Sequence, residues 1–304
     1  MNELKKKDLF SVFEERGIKF SPIQNEQLIS RLSEILTYEP RIGVFGKTGA
    51  GKSSLCNAIF GQHICEIGDI LACTRNPQDV LLNMGGNGIK LIDVPGVGES
   101  TERDEEYAKL YSKLLPELDV VLWLIRADDR ALATDERFYR DIVKPHIDQN
   151  KPFFFVISQV RKINPDKEWN EETNEPGPTQ SANVEQKIKA VTEQFDIPAY
   201  KVIAISADEK YNITALVDEF VRALPKEKKI TAFKAVNQEF QSAETGEDVK
   251  RSFLDVVLDA AGKVVDKVED IIFDVKYSPL GDFIGSCMRS AGTVMDFLRR
   301  FLPF

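Results

Sequence analysis

Residues 46–53 read GKTGAGKS and satisfy the pattern G-x-x-x-x-G-K-[ST]. Such a run is suited to holding phosphate. Its glycines let backbone N–H groups from Gly46, Lys47, Thr48, Gly49, Ala50, Gly51 and Ser54 wrap the oxygens of a nucleotide tail. Lys52 brings an ammonium to the β- and γ-phosphates, and Ser53 offers a hydroxyl to Mg²⁺. A helix starting just after the run would add its dipole at the same spot.

A second stretch fits the same chemistry. LIDVPG, 91–96, is an apolar segment ending in Asp-x-x-Gly. Asp93 at a strand end would hold the metal through a water, and the Gly96 N–H would meet the γ-phosphate. Between the two stretches lies CEIGDILACTRNPQ, 65–78, a loop with Thr74 near its end. A threonine there serves the metal with its hydroxyl and the γ-phosphate with its N–H. The metal set is therefore Ser53, Thr74 and Asp93, and the catalytic set is Lys52, Thr74 and Gly96. Later in the chain AISAD, 204–208, puts Ser206 and Ala207 in a short loop suited to lining the base.

These residues need a rigid frame, and the hydrophobic pattern supplies one. RIGVFG, QDVLLNM, GIKLIDV, DVVLWLI, PFFFVIS and KVIAIS read as six short strands, with a hairpin signal between the second and third. Helical patterns over 102–115, 134–148, 183–195 and 213–223 alternate with them. The expected fold is an α/β three-layer sandwich: a mostly parallel six-stranded sheet with one antiparallel edge strand, covered on both faces. Residues 164–182, rich in Pro, Asn and Glu, read as an exposed insertion loop. Pro225 and KEKK read as the end of the α/β unit. The domain reading is a helical segment over 1–39, the α/β unit over 40–225, and a helical region over 226–304 that packs with the first segment into a second unit. Phe253, Val257, Ala260, Val264, Val268 and Ile271 give that region an apolar stripe.

Composition narrows the classes. A chain of 304 residues with 42% hydrophobic residues can bury a proper core. Net charge of -9 and a pI near 5.1 argue against a general nucleic-acid coater. The four cysteines form no CxxC pair and only two histidines exist, which argues against structural zinc. MNELKKKDLF lacks an apolar leader core, and no run of about 18 apolar residues occurs. The chain reads as cytoplasmic, with GTVMDFLRRFLPF, 292–304, as the one stretch suited to a peripheral membrane contact.

In this order the motifs resemble those of the translation-factor-related GTPases with a Ras-like domain. GKTGAGKSSLCNAIFG and DVVLWLIRADDRAL look closest to the Era-like bacterial group, and are also similar to septin, AIG1-type and immunity-related GTPases. The resemblance covers about 40–225. It implies GTP/GDP and Mg²⁺ as cofactors, GTP hydrolysis, and switch loops near 65–77 and 95–105. From the septin-like and immunity-related relatives it implies pairing of two such domains across the nucleotide, with Arg75 or Arg103 as candidate fingers. Two alternatives accompany the switch reading: a membrane-associated dynamin-like or immunity-related-like GTPase, and a low-turnover nucleotide-binding scaffold with relaxed base selectivity.

Two positions depart from the family pattern. Val97 stands where a water-orienting Gln is frequent, and a valine cannot polarise water. The guanine-reading segment is Ser158, Gln159, Val160 and Arg161, and the fourth position is normally Asp. That carboxylate accepts from the base N1–H and 2-amino group, whereas Arg161 carries donors only. Ser158 can still tie the loop down and Gln159 can still lie over the base. Three readings follow: relaxed base choice, a replacement acid such as Asp208 or Asp166, or Arg161 as a variant of an original Asp.

Overall fold

A computed structural model describes residues 14, 19–60, 78–82, 89–93, 109, 111–147 and 151–262. Six strands form one sheet: β1 (Arg41–Gly46), β2 (Gln78–Leu82), β3 (Ile89–Asp93), β4 (Val120–Arg126), β5 (Phe153–Ser158) and β6 (Val202–Ala204). Their order is β2-β3-β1-β4-β5-β6. Only the β2–β3 pairing is antiparallel, with Val80 opposite Leu91. The pairings β1–β3, β1–β4, β4–β5 and β5–β6 are parallel.

Side-chain parity divides the core between two sheet faces, as period-2 geometry requires. Ile42, Val44, Val120, Leu122, Leu124, Phe154 and Val156 face one way. They pack with α1 (Pro22–Leu36), α2 (Lys52–Phe60), α6 (Ile213–Ala223), α7 (Lys226–Ala235) and α8 (Ala243–Gly262). Phe45, Val121, Trp123, Ile125, Phe153, Phe155 and Ile157 face the other way. There they meet α3 (Ala133–Phe138), the π-turn Tyr139–Val143 and α5 (Pro178–Phe195). Trp123 stacks parallel to Phe45 at 6.0 Å between ring centres, in the middle of that aromatic layer.

The helices before and after the α/β unit share its core. Leu28, Leu32 and Leu36 recur every four residues along α1 and enter the same apolar cluster as Ile230 and Phe233 of α7 and Phe253 and Val257 of α8. Among the described residues that cluster runs without a break into the sheet, so these helices extend one of its faces. Ser21 starts α1 with a capping box: its hydroxyl accepts from the Gln24 N–H, and its own N–H donates to Gln24 Oε1 at 2.8 Å. Buried Asp119 pins the junction. It accepts from the Tyr38 hydroxyl at 2.7 Å and the Arg41 N–H at 2.8 Å, and it pairs with Lys228 of α7.

Several boundaries differ from expectation. KEKK does not close a unit; it opens α7 directly after Pro225. The helix expected over 134–148 is split into α3, the π-turn and α4 (Lys144–Ile147). β6 stops at Ala204, and the chain after it folds into a tight Ser206–Tyr211 bridge. The loop expected over 164–182 is only partly a loop. Asn170 bridges Glu175, Trp169 and Gln180 are buried, and α5 begins at Pro178. The early start has a local cause. Glu168 accepts from the N–H groups of Thr179 at 2.8 Å and Gln180 at 3.2 Å, satisfying the first turn in place of a cap residue. A hydrogen bond from the Thr179 side chain, helped by those two N–H groups, holds the Glu168 carboxyl below its usual range.

Candidate functional site

The phosphate loop forms where β1 ends and α2 begins. Gly46, Gly49 and Gly51 have φ of 138, 77 and 85°. Gly46 is the constrained one: a Cβ there would sit 2.5 Å from the Leu124 carbonyl oxygen of β4. Lys52 Nζ folds back over the loop and donates to the carbonyls of Gly46 at 3.0 Å and Lys47 at 3.3 Å. It thereby closes the loop from its last residue to its first. Ser53 and Ser54 follow on the first turn of α2, half-buried. Asp93 ends β3 and pairs with Val44 of β1. Its backbone therefore stands one strand away from the loop.

The Lys47 side chain has a task of its own: its ammonium is held by Asp129 at 2.9 Å, Asp135 at 2.8 Å and the Ala131 carbonyl at 2.7 Å. Its backbone remains in the loop, while its side chain fastens that loop to the segment after β4. Burial alone would lower the Lys47 pKa, but hydrogen bonds to Asp135 and Asp129 outweigh it and raise the value. The two acids separate. Burial pushes the Asp135 carboxyl up despite Lys47. At Asp129 burial acts in the same sense, yet Lys47 and the Ala131 N–H overcome it and hold the carboxyl low.

The segment after β5, expected to read the base, is tied to the loop between β1 and α2 by two side chains. Buried Ser158 donates from Oγ to the Ala50 carbonyl at 2.7 Å. Gln159, at φ 59°, donates from Nε2 to the Gly49 carbonyl at 2.9 Å and accepts from Lys162 at 2.7 Å. Its amide is thus spent on the loop and on Lys162. Val160 is fully buried and its N–H donates to the Ile205 carbonyl at 3.1 Å, joining this segment to the one after β6. Arg161 reaches away toward acids. Nη1 pairs with Glu209 at 3.2 Å and Nη2 pairs with Glu171. Ser206, also buried, donates to the other oxygen of Glu209. Ala207 follows Ser206 in the same turn.

The described residues thus bring together Gly46 through Ser54, Ser158, Gln159, Arg161, Ser206 and Ala207 at one end of the sheet. Thr74, Arg75, Gly96, Val97 and Arg103 lie outside the described residues, as does the tail beyond Gly262. Asp208 and Asp166 are exposed, and the acid beside Arg161 from the loop after β6 is Glu209 instead. Sequence reasoning missed it although it stands three residues past Ser206. It also missed Arg126 at the end of β4. That guanidinium donates along one edge, from Nε and Nη2, to the two oxygens of Asp128 at 2.9 and 2.6 Å, and its Nη1 lies 3.9 Å from where a Gly49 side chain would begin. The Arg126 hydrogen bond keeps the Asp128 carboxyl below its usual range.

Known proteins and a family model resemble this chain in sequence. Residues 41–159 match the family model described as 50S ribosome-binding GTPase. YfjP of Escherichia coli strain K12, an uncharacterized protein, is 38% identical over 244 residues, covering 80% of this chain and 81% of YfjP. GTPase Era of Alkaliphilus metalliredigens is 28% identical over 185 residues, covering 60% of this chain and 55% of that protein. A solved Era in complex with MgGDPNP and nucleotides 1506–1542 of 16S ribosomal RNA is 25% identical, covers 61% of this chain and 57% of that one, and has a TM-score of 0.45. The chain spans about half the length of the Era proteins it matches.

Proposed function

This chain belongs to the P-loop GTPases, in one family with YfjP, and from that premise we propose that it is a nucleotide-dependent switch that binds GTP with Mg²⁺ and hydrolyses it to GDP and phosphate. The observation that carries the reading is the loop between β1 and α2, with three glycines at positive φ and Lys52 folded across it. Backbone N–H groups and the Lys52 ammonium hold the β- and γ-phosphates there, helped by the start of α2. Ser53 on the first turn of α2 and Asp93 at the end of the neighbouring strand are oxygen donors of the kind Mg²⁺ prefers, and Thr74 is the third. The metal would neutralise charge on the phosphate oxygens. Thr74 and Gly96 would sense the γ-phosphate and pass its loss to the surrounding loops.

The proposal stops short of RNA. The Era structure named above holds ribosomal RNA, but this chain carries a net charge of -9 and matches only part of Era. Among the described residues no helix is long and apolar enough to cross a membrane, and the 292–304 stretch read as a peripheral contact lies outside them. The deciding experiment is phosphate release from GTP by the purified full chain. Turnover with Mg²⁺ that stops on adding EDTA is expected, and Ser53→Ala should raise the Mg²⁺ concentration needed for turnover. Phosphate release no faster than buffer in saturating GTP and Mg²⁺ would defeat the enzyme assignment.

A further inference from the structure

We infer that the guanine-reading carboxylate of this protein is Glu209, delivered from the loop after β6, and that Arg161 positions it without touching the base. The inference rests on the nucleotide site proposed above and names the residue that sets its base selectivity. Arg161 occupies the place where an acid is expected, and a guanidinium offers guanine only donors against donors. The geometry removes this conflict. Both terminal nitrogens of Arg161 are engaged by carboxylates, Nη1 by Glu209 and Nη2 by Glu171.

Of the two acids, Glu209 is the one built in. Its side chain is 16% exposed, against 64% for Glu171. Two groups from different loops fix it: Arg161 at one oxygen and the buried Ser206 hydroxyl at the other. The loop carrying it is itself constrained. Ser206 bridges Tyr211, Lys210 has φ 59°, and Asn212 at φ 57° donates to the Ala204 carbonyl at 2.9 Å. Each carboxylate oxygen has two acceptor sites and spends one on these partners, leaving one each for the N1–H and 2-amino donors of guanine. Adenine presents no such pair of donors. The acid has moved 48 residues along the chain and returns to the same loop pair through space, with Arg161 as its counter-ion.

The test measures binding of GDP, XDP and ADP, with Mg²⁺, to the full chain and its variants. The unchanged protein should prefer GDP over ADP. Glu209→Gln should weaken GDP about 10- to 100-fold, the worth of about one charge-assisted hydrogen bond, and strengthen XDP, whose 2-oxo group accepts from the new amide. Arg161→Gln should reduce the GDP preference by a smaller factor, because it frees the carboxylate without removing it. Should Glu209→Gln fold poorly, Ser206→Ala reports on the same carboxylate and should narrow the gap between GDP and ADP several-fold. A Glu209→Gln protein with unchanged base ratios would reduce Glu209 to a plain ion-pair partner and overturn the assignment. So would an unchanged protein that ignores the base and gains guanine preference only on Arg161→Asp. Absence of any nucleotide binding to the unchanged protein would instead bring down the site itself, and this inference with it.

Discussion

The two ends of the nucleotide site are built on different principles. The phosphate end is made of backbone within one stretch of eight residues, 46–53, and its shape follows from three glycine dihedrals and one lysine folded back on its own loop. The proposed base end is made of side chains from distant segments: Ser158 and Gln159 after β5, Arg161 beside them, Ser206 and Glu209 after β6, and Glu171 from the turn before α5. A backbone cradle holds phosphate whatever base is attached. A side-chain cluster discriminates, and can exchange its charged members while keeping its form. Substitutions at the phosphate end should therefore scale all nucleotides alike, whereas those at the base end should change the ratios between them.

Lys52→Ala gives the largest expected effect. It removes the ammonium from the phosphates and the two carbonyl contacts that close the loop. Affinity for GDP should fall about 100-fold or more, at about 1.5–3 kcal/mol for each charge-assisted contact. Calorimetry with GDP and XDP should show the same factor for both. Unequal factors would mean that the loop and the base pocket are not separable, and would break the comparison.

Ser158→Ala probes the seam between the two ends. Its hydroxyl is buried and donates across the site to Ala50. Loss of that bond should cost about 1 kcal/mol in urea unfolding, and the Ala50 carbonyl is left short of a partner. Because the tether holds both loops, all nucleotides should weaken together and modestly. A change confined to the GDP-to-ADP ratio would place Ser158 in base reading and not in the seam.

The same contrast explains what was legible in the sequence. The loop from Gly46 to Ser53 could be read because its chemistry depends on residues that adjoin in the chain, and the six strands could be read from their short apolar runs. Its own exception was Lys47, whose partners Asp129 and Asp135 lie more than eighty residues away, so only folding shows that its side chain serves as an anchor. The fate of Arg161 was hidden for the same reason. The sequence shows an acid missing, and several acids in reach, but nothing in AISADEK says that Glu209 and not Asp208 turns toward it. The Glu168 cap that starts α5 at Pro178 was equally invisible, since it spans the turn that looked like an unstructured insertion.

The smallest expected effect concerns pH and the anchor behind the phosphate loop. Asp135 is buried and its carboxyl is raised above the ordinary value of 3.8, with burial as the main cause. The folded protein therefore binds this proton more tightly than the unfolded chain does. Its ionised form carries a penalty at neutral pH that is relieved as pH falls through the raised value. Asp135→Asn removes the titrating group and keeps the shape, and Lys47 retains Asp129. Between about pH 7 and pH 4, the melting temperature of the unchanged protein relative to Asp135→Asn should shift in favour of the unchanged protein as pH falls. A shift the other way would make Asp135 the stabilised ionised partner of Lys47. The anchor of the phosphate end would then depend on a side-chain ion pair just as the base end does, and the division between a backbone-built end and a side-chain-built end would narrow to the eight-residue loop alone.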